Sequence, residues 1–372
     1  MTPKQKFWPR ITDGLALSEL WKHFRTDARS SYRLYSLEVD SIRQPGVGRV
    51  KHFFRVFKQF LWAIIDKLSP ARRVFLVIAL ILLFANMQAT WPNSEGEMVS
   101  VHWGGAFWGG ILLFILLALE IADRVVMKRD LQIAKEIQSW LLPASPPPVP
   151  GLQIAFATRP ANTVAGDYYD VFPRFDSSSS GGAYLVTIAD VAGKSVPAAM
   201  LMATYQASLK TLAGTSESLT ELVGRMNNYA CGNSQNGRRF TTTFIAEYDP
   251  ASRGLNYVNA GHNPPILRRR TGAIERLETG GIPLGIAQNA PYESGKVTLE
   301  SGDWLVIFTD GVTEAENAHA EEYEEARLMV VLLANQALSP PEMLKAIMQD
   351  LDRFVGDAPQ HDDITLLLLK AV

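Results

Sequence analysis

The sequence predicts an α+β domain over residues 151–372, preceded by a two-helix transmembrane hairpin and a linker helix. Apolar, β-branched runs in the C-terminal part indicate strands. The helical patterns between these runs arrive in pairs, which is typical of a layered α+β fold and not of a strictly alternating parallel sheet. About 220 residues are enough to enclose a full hydrophobic core.

Residues 1–72 form a predicted basic cytoplasmic region. Within it, residues 49–68 carry Phe, Leu and Ile at helical spacing with Arg and Lys between them, which predicts a basic amphipathic helix. This helix could lie on anionic lipid or pack on another protein surface. Its position just before an apolar segment favours the lipid surface. No secretory signal peptide and no function for residues 1–48 are predicted.

Residues 73–121 contain two apolar stretches, 74–91 and 103–121, each near the ~20 residues that a membrane-spanning helix needs. Lys and Arg flank the pair and are absent between the stretches, so both flanks are predicted to be cytoplasmic. The predicted location is the inner (plasma) membrane, multi-pass, with the C-terminal domain in the cytoplasm. The alternative is a buried helical hairpin in a soluble domain.

Residues 122–150 are predicted to be a linker helix and a Pro-rich spacer. Ile133, Ile137 and Trp140 form a coiled-coil-like stripe that ends before Pro143. A homodimer through this helix is one possible arrangement.

The elements of the C-terminal domain follow from its periodicity. Strands are predicted at 152–158, 183–189, 241–247, 255–259, 265–269, 304–309 and 364–370, and helices at 196–212, 219–229, 321–335 and 341–354.

Four Asp residues lie at the edges of these strand-like runs. Asp190 ends one run and precedes a small-residue turn, and Asp167, Asp310 and Asp362 lie in similar positions. A single such residue is usually a solvated charge. Four carboxylates gathered at strand edges are what a two-metal site needs, because hard cations prefer oxygen ligands. The single cysteine, Cys231, excludes an internal disulfide and indicates a reducing compartment.

Several ordered motifs of residues 130–372 resemble one family. The domain is similar to metal-dependent protein serine/threonine phosphatases of the PP2C superfamily, and within it to the bacterial SpoIIE- and RsbU-like branch. The resemblance rests on IQSWLLP (137–143), PANTVAGDYYD (160–170), DVAGKSVPAA (190–199), FTTTF (240–244), NAGHNPP (259–265), PLG (283–285), TDGVTE (309–314) and DDIT (362–365).

The resemblance implies an α-β-β-α sandwich of two antiparallel sheets with metal ions at one edge. It also implies two Mn²⁺ or Mg²⁺ ions that neutralise phosphoryl oxygens and acidify a bridging water, which attacks phosphorus in line. By the matching motifs, the implied ligands are Asp167, Asp190, the carbonyl of Val191, Asp310 and Asp362, with Asp363 as the alternative to Asp362.

The sequence departs from the family pattern in three ways. Ser195 stands where glycine is more usual, and Ala165 precedes Gly166 where a second glycine is common. The phosphate-binding arginine of eukaryotic relatives has no clear counterpart, and Arg159 is a candidate whose alternative is a solvated strand-edge residue.

The sequence thus predicts a membrane-anchored phosphatase acting on phosphoserine or phosphothreonine of a signalling protein. The family resemblance implies a STAS-type anti-sigma-factor antagonist as substrate. The predicted partners are this phosphoprotein and membrane lipid, without nucleic acid. The alternatives are a catalytically silent membrane scaffold that binds a phosphoprotein, and an enzyme acting on a small phosphoester. A further hypothesis is that the linker helix controls the loop of Asp190 and Val191.

Overall fold

A computed structural model gives the fold and describes residues 58, 62, 65–66, 68–84, 86–92, 98–174, 182–234 and 239–372, with the backbone alone at 86–92 and 98–103. The chain divides into two compact units, Met1–Val125 and Val126–Val372. Most of the predicted basic region 1–72, including most of the amphipathic helix over 49–68, lies outside the described residues.

The first unit contains two helices and a strand pair. Helix α1 (Pro70–Phe84) is followed by strands β1 (Asn86–Pro92) and β2 (Met98–Gly104), and then helix α2 (Gly105–Leu141) begins. The strands pair antiparallel, with Asn86 opposite Gly104. The two helices approach closely, because a Cβ atom added at Gly109 would lie 2.7 Å from the carbonyl oxygen of the fully buried Ala79.

The predicted helix over 74–91 is wrong at its C-terminal end. Helix α1 stops at Phe84, and the mixed polar and apolar sequence from Asn86 to Pro92 forms a strand instead. At 15 residues, α1 is about 22 Å long, which is less than the ~30 Å hydrocarbon core of a bilayer. Among the described residues, only α2 has the length and composition to cross a membrane. The transmembrane hairpin therefore stays a prediction.

The second unit contains two sheets. The first has the strand order β10-β7-β6-β5-β4, with β11 also paired to β7, and the second has the order β3-β13-β12-β8-β9. All these pairs are antiparallel except β10 with β7. The strands are β3 (Leu152–Arg159), β4 (Tyr168–Pro173), β5 (Tyr184–Val191), β6 (Thr241–Asp249), β7 (Gly254–Ala260), β8 (Ile266–Arg268), β9 (Ile274–Arg276), β10 (Gly280–Gly281), β11 (Gly295–Thr298), β12 (Trp304–Phe308) and β13 (Ile364–Ala371).

Helices cover the outer faces of both sheets. A core that includes Ile188 and Leu367 lies between the sheets. A second core joins the first sheet to two helices, and a third joins the second sheet to two others. The predicted α-β-β-α sandwich is therefore confirmed. The helices are α3 (Ser195–Ala213), α4 (Leu219–Asn233), the short α5 (Asp310–Thr313), α6 (Glu324–Ala334) and α7 (Pro340–Val355).

The strand pairing brings chain segments that are far apart in sequence to one end of the sandwich. Strand β5 ends where β6 begins, with Asp190 opposite Thr242. Strand β12 ends where β13 begins, with Phe308 opposite Leu366. The predicted site residues lie at or just beyond these strand ends.

Candidate active site

Asp167 lies at the centre of this end, at the start of β4. Its side chain is buried, and its Oδ2 accepts hydrogen bonds from the hydroxyl groups of Thr309 (3.0 Å) and Thr365 (2.6 Å). Burial, together with the nearby charges of Asp190 and Asp363, raises the pKa of Asp167 well above its usual range. Thr309 directly follows β12 and Thr365 lies in β13, so both connect Asp167 to the second sheet.

Asp190 is the next-to-last residue of β5 and faces the same space. Burial, followed by the negative charges of Asp310, Asp362 and Asp363, raises its pKa to about 7. A hydrogen bond with Asp167 partly offsets this rise. The adjacent Val191 is buried, and its carbonyl oxygen lies beside Gly166, 3.2 Å from where a Cβ atom of that residue would be.

Asp310 opens the single turn of α5, directly after β12. Burial and the charge of Asp362 raise its pKa, and the backbone amide of Gly311 and the charge of Lys194 work against that rise. Gly311 allows this close packing, because a Cβ atom there would lie 2.0 Å from the carbonyl oxygen of Asp363.

Asp362 and Asp363 have different surroundings. Both oxygens of Asp363 accept backbone hydrogen bonds, from the amides of Ala161 (2.7 Å) and Gly166 (2.6 Å). Asp362 is more exposed and pairs with the ammonium group of Lys194 at 3.2 Å. Asp363 thus anchors the loop before Asp167, while Asp362 lines the open cleft.

The chemistry of these side chains fits a divalent metal ion. Within the described ranges, no group of three His, Cys, Asp or Glu residues is close enough to enclose an ion without some rearrangement. The donors are nevertheless hard oxygen atoms, and burial together with neighbouring negative charges raises the pKa values of Asp167, Asp190 and Asp310. A cation placed among them would relieve this repulsion.

Comparison with known proteins decides the family. The family model described as "Stage II sporulation protein E (SpoIIE)" matches residues 180–372. The chain belongs to the SpoIIE family. It is 31% identical over 247 residues to the Bacillus subtilis protein named phosphoserine phosphatase RsbU, covering 66% of this chain and 70% of RsbU.

Two other proteins are similar over about two thirds of the chain. Protein IcfG of Synechocystis is 29% identical over 279 residues, covering 68% of this chain and 43% of IcfG. This chain therefore spans less than half the length of that relative. The SiaA-PP2C domain of Pseudomonas aeruginosa has the same fold, with a TM-score of 0.56 and 21% identity over 68% of this chain and 99% of that domain. The C-terminal domain is thus a PP2C-type serine/threonine phosphatase domain of the SpoIIE family.

A cleft of about 180 Å³ opens beside Asp362 in this SpoIIE-family domain. Lys194 and Arg159 are its basic lining residues. Arg159 is held by an ion pair with Asp352 at 2.6 Å. Lys194 follows Gly193 at the start of α3 and faces the carboxylates, because its charge acts on both Asp310 and Glu314. Lys194 is therefore better placed than Arg159 to meet a phosphoryl group.

His262 supports the site without facing the cleft. It is buried, and burial lowers its pKa to about 4, so the imidazole is neutral at pH 7. Its Nδ1 lies 3.2 Å from the hydroxyl group of Thr242, and its backbone amide donates to Asn259. It therefore orders the turn after β7 in this SpoIIE-family domain.

Sequence reasoning missed the hydroxyl groups of Thr309 and Thr365, the cleft position of Lys194 and a buried glutamine, Gln138, on α2. All four belong to motifs that carry the SpoIIE-family resemblance. Their place in those motifs was the available signal. The role of a hydroxyl or an amide group cannot be inferred, however, until its hydrogen-bond partner is known.

Proposed function

We propose that the whole chain is a membrane-anchored, metal-dependent protein phosphatase that hydrolyses phosphoserine or phosphothreonine on a signalling protein. The observation that carries the proposal is the gathering of Asp167, Asp190, Asp310 and Asp362 at one end of the sandwich, where burial and mutual repulsion raise the pKa values of the first three. The name of the relative RsbU supports phosphoserine as the substrate group.

The roles of the residues follow from their positions. Asp167, Asp190, Asp310, Asp362 and the carbonyl of Val191 would hold two Mn²⁺ or Mg²⁺ ions. When bound, these ions supply positive charge for the phosphoryl oxygens and a lowered pKa for a water molecule. Asp363 keeps the loop before Asp167 in place through the amides of Ala161 and Gly166. Thr309 and Thr365 fix the orientation of the Asp167 carboxylate.

Lys194 would bind the phosphoryl group of the substrate. Its ammonium group now lies on Asp362 and on the carbonyl oxygen of His361 (2.7 Å). A cation on Asp362 would repel it toward an incoming dianion. We expect Lys194→Met to raise KM for a phosphoprotein about tenfold with a smaller change in kcat, and Lys194→Arg to recover most of the loss. Arg159→Met is the matched control, and an equal rise in KM there would contradict this role.

The decisive test of the function is hydrolysis of a phosphoserine protein by the full-length chain with Mn²⁺ and with EDTA, beside Asp190→Ala. Activity that needs both the metal and Asp190 supports the proposal. Binding of the phosphoprotein without phosphate release would support the silent scaffold instead. If the phosphorylated protein fails to compete with hydrolysis of a small phosphoester, the substrate is a small molecule.

Membrane anchoring is proposed from the first unit. The side chains of Val77, Ile81 and Phe114 are exposed, as are most other apolar side chains of α1 and the first part of α2. The close contact at Gly109 is typical of helices that pair in lipid through small residues. Arg72 pairs with Asp123 (2.7 Å) and Glu120 (3.3 Å), at the end where the predicted cytoplasmic flanks lie. Resistance of the full-length chain to alkaline extraction from membranes tests this proposal.

A homodimer through α2 is proposed from its outer face. Ile133, Ile137 and Trp140 are all exposed, and Trp140 is 79% exposed. Their spacing of four and three residues suits a second copy of the same helix. Light scattering of the full-length chain and of Ile137→Lys tests it, because one charge in that stripe should shift the mass toward the monomer.

A further inference from the structure

Gln138 is a buried polar residue on the inner face of α2. Its side chain is 7% exposed, and the flanking Ile137 and Ser139 are exposed. Its Nε2 donates to the carbonyl oxygen of Ala165 at 2.7 Å, and its Oε1 accepts from the amide of Ala165 at 3.0 Å. One side chain therefore satisfies both backbone groups of a single residue, and both residues lie within the second unit.

These two hydrogen bonds matter because Ala165 belongs to an irregular loop. Ala165 is 1% exposed and lies outside any strand. Neither a neighbouring strand nor solvent could therefore replace Gln138 as its hydrogen-bond partner. Buried backbone groups without partners are costly, and the loop would move rather than keep them unpaired. Gln138 therefore restricts the loop in a way that an apolar side chain of the same size would not.

The loop that contains Ala165 is in direct contact with the candidate active site. Gly166, next to Ala165, donates to Asp363 and lies against the carbonyl of Val191, and Asp167 follows it directly. A shift at Ala165 would reach Asp167, Asp363 and Val191 together. The sequence-based hypothesis placed the contact of the linker helix at the loop of Asp190 and Val191, whereas the hydrogen bonds reach the neighbouring loop before Asp167.

We propose that Gln138 is a positioning residue that joins the linker helix to the metal-binding loop. The inference rests on the proposed function and specifies how that site is regulated. Metal ligands lie in place only while α2 presents Gln138 to Ala165. A rotation of the helix by one residue, about 100°, would present Ile137 or Ser139 instead. Ile137 has no polar side-chain atom, and Ser139 has one hydroxyl group on a side chain two carbon atoms shorter than that of glutamine.

The test compares the full-length chain in mild detergent with Gln138→Ala and Gln138→Met. In EDTA, we expect hydrogen–deuterium exchange of residues 160–167 to become about tenfold faster, as the loss of two ordinary hydrogen bonds predicts, while β13 exchanges as before. The Mn²⁺ concentration for half-saturation, measured by calorimetry, should rise about tenfold. Gln132→Ala is the matched control, because Gln132 is exposed on the same helix.

A third variant separates positioning from general stability. In Gln138→Glu, a protonated carboxyl group could make both hydrogen bonds again, whereas the ionised form would lose the bond to the carbonyl oxygen of Ala165. The excess exchange of residues 160–167 over wild type should therefore be smaller at pH 5.5 than at pH 8. The same excess at both pH values would count against the proposal.

Two outcomes would overturn the inference. Folded Gln138→Met with wild-type exchange at 160–167 and wild-type Mn²⁺ affinity would show that the loop is held by other contacts. Loss of folding in all three variants would make Gln138 a determinant of the whole fold and not of the loop. Exchange and calorimetry need no turnover, so a chain that passes both tests but releases no phosphate would refute the proposed function alone.

Discussion

At the scale of single residues, the site carboxylates cost stability in the absence of metal. The pKa of Asp190 is about 7 in the folded chain and near 4 in the unfolded chain. Between about pH 4 and pH 7, the folded state therefore binds more protons than the unfolded state. Stability without metal should therefore fall as pH rises from about 4 to about 7. In EDTA, we expect Asp190→Asn to be more stable than wild type at pH 8 by a few kcal/mol and about equal at pH 4.

Thermal unfolding in EDTA across this pH range measures the difference. Asp357→Asn serves as the control, because Asp357 is exposed. A wild-type stability that rises with pH over this range, or a parallel pH profile for Asp190→Asn, would mean that Asp190 does not carry the repulsion assigned to it.

Ser195 illustrates strain at a single position. It opens α3 with φ of +63°, in the left-handed region where glycine is favoured. This conformation explains why glycine is more usual there in the family. The left-handed backbone of a non-glycine residue costs ~1–3 kcal/mol of folding free energy, and glycine would remove that cost. Part of the gain is offset because glycine has greater conformational freedom in the unfolded chain. We expect Ser195→Gly to stabilise the chain by about 1 kcal/mol in chemical denaturation. Ser195→Ala keeps the Cβ atom and should not stabilise, so equal gains in both variants would contradict the explanation.

The sequence indicated the identity of the site carboxylates but not their partners. Asp190 and Asp310 end or follow an apolar run, and Asp167 and Asp362 precede one, so their position at strand ends could be predicted. The difference between Asp362 and Asp363 could not, because it depends on amides about 200 residues earlier in the chain. Arg159 could not be separated from Lys194 for the same reason, since Asp352 lies on another element.

At the scale of elements, the turn of α5 depends on the absence of a side chain at Gly311. A Cβ atom there would lie 2.0 Å from a backbone oxygen, and backbone cannot yield as a flexible side chain can. We expect Gly311→Ala to cost about 3 kcal/mol or more and to abolish phosphatase activity, because Asp310 and the Asp362–Asp363 turn must separate. Urea denaturation and phosphate release measure the two effects.

Gly224 provides the matched control within α4. Its Cβ position meets nothing within 4 Å, and it lies in a helix interior. Gly224→Ala should therefore stabilise the chain by about 1 kcal/mol and leave activity intact. Similar losses at Gly224 and Gly311 would indicate that the close contact at Gly311 is not the cause.

The elements with long, regular patterns could be predicted, and the short or mixed ones could not. Strand β13 consists of one apolar run and was predicted within one residue of its end. Strand β4 begins at the site with Tyr-Tyr-Asp and has no alternation to recognise, and β9 to β11 have two to four residues each. Helix α1 was predicted too long because Met87, Ala89 and Trp91 extend the apolar stretch past Phe84, whereas polar residues alternate with them and the backbone there forms a strand.

At the scale of the whole molecule, α2 has two different faces in its C-terminal half. Gln138 meets the loop before Asp167 on one side, and Ile133, Ile137 and Trp140 are exposed on the other. The helix runs without a break from the apolar segment at Gly105 to Leu141. A rotation of the apolar N-terminal part of α2 would therefore reorient Gln138 and the exposed stripe together, since a continuous helix transmits rotation along its axis.

Insertion of one to four alanines after Lys128 tests this transmission in the full-length, membrane-inserted chain. Each alanine rotates the upstream helix by about 100° relative to Gln138, so four return it to within about 40° of the start. We expect phosphate release to fall with one to three alanines and to recover with four. Exchange of residues 160–167 should vary with the same period, because the loop and the site share the contact at Ala165. The same insertions after Thr271, in an exposed turn, control for chain length. A flat activity profile would exclude rotational control, and periodic activity with constant exchange at 160–167 would place the coupling at a contact other than Gln138.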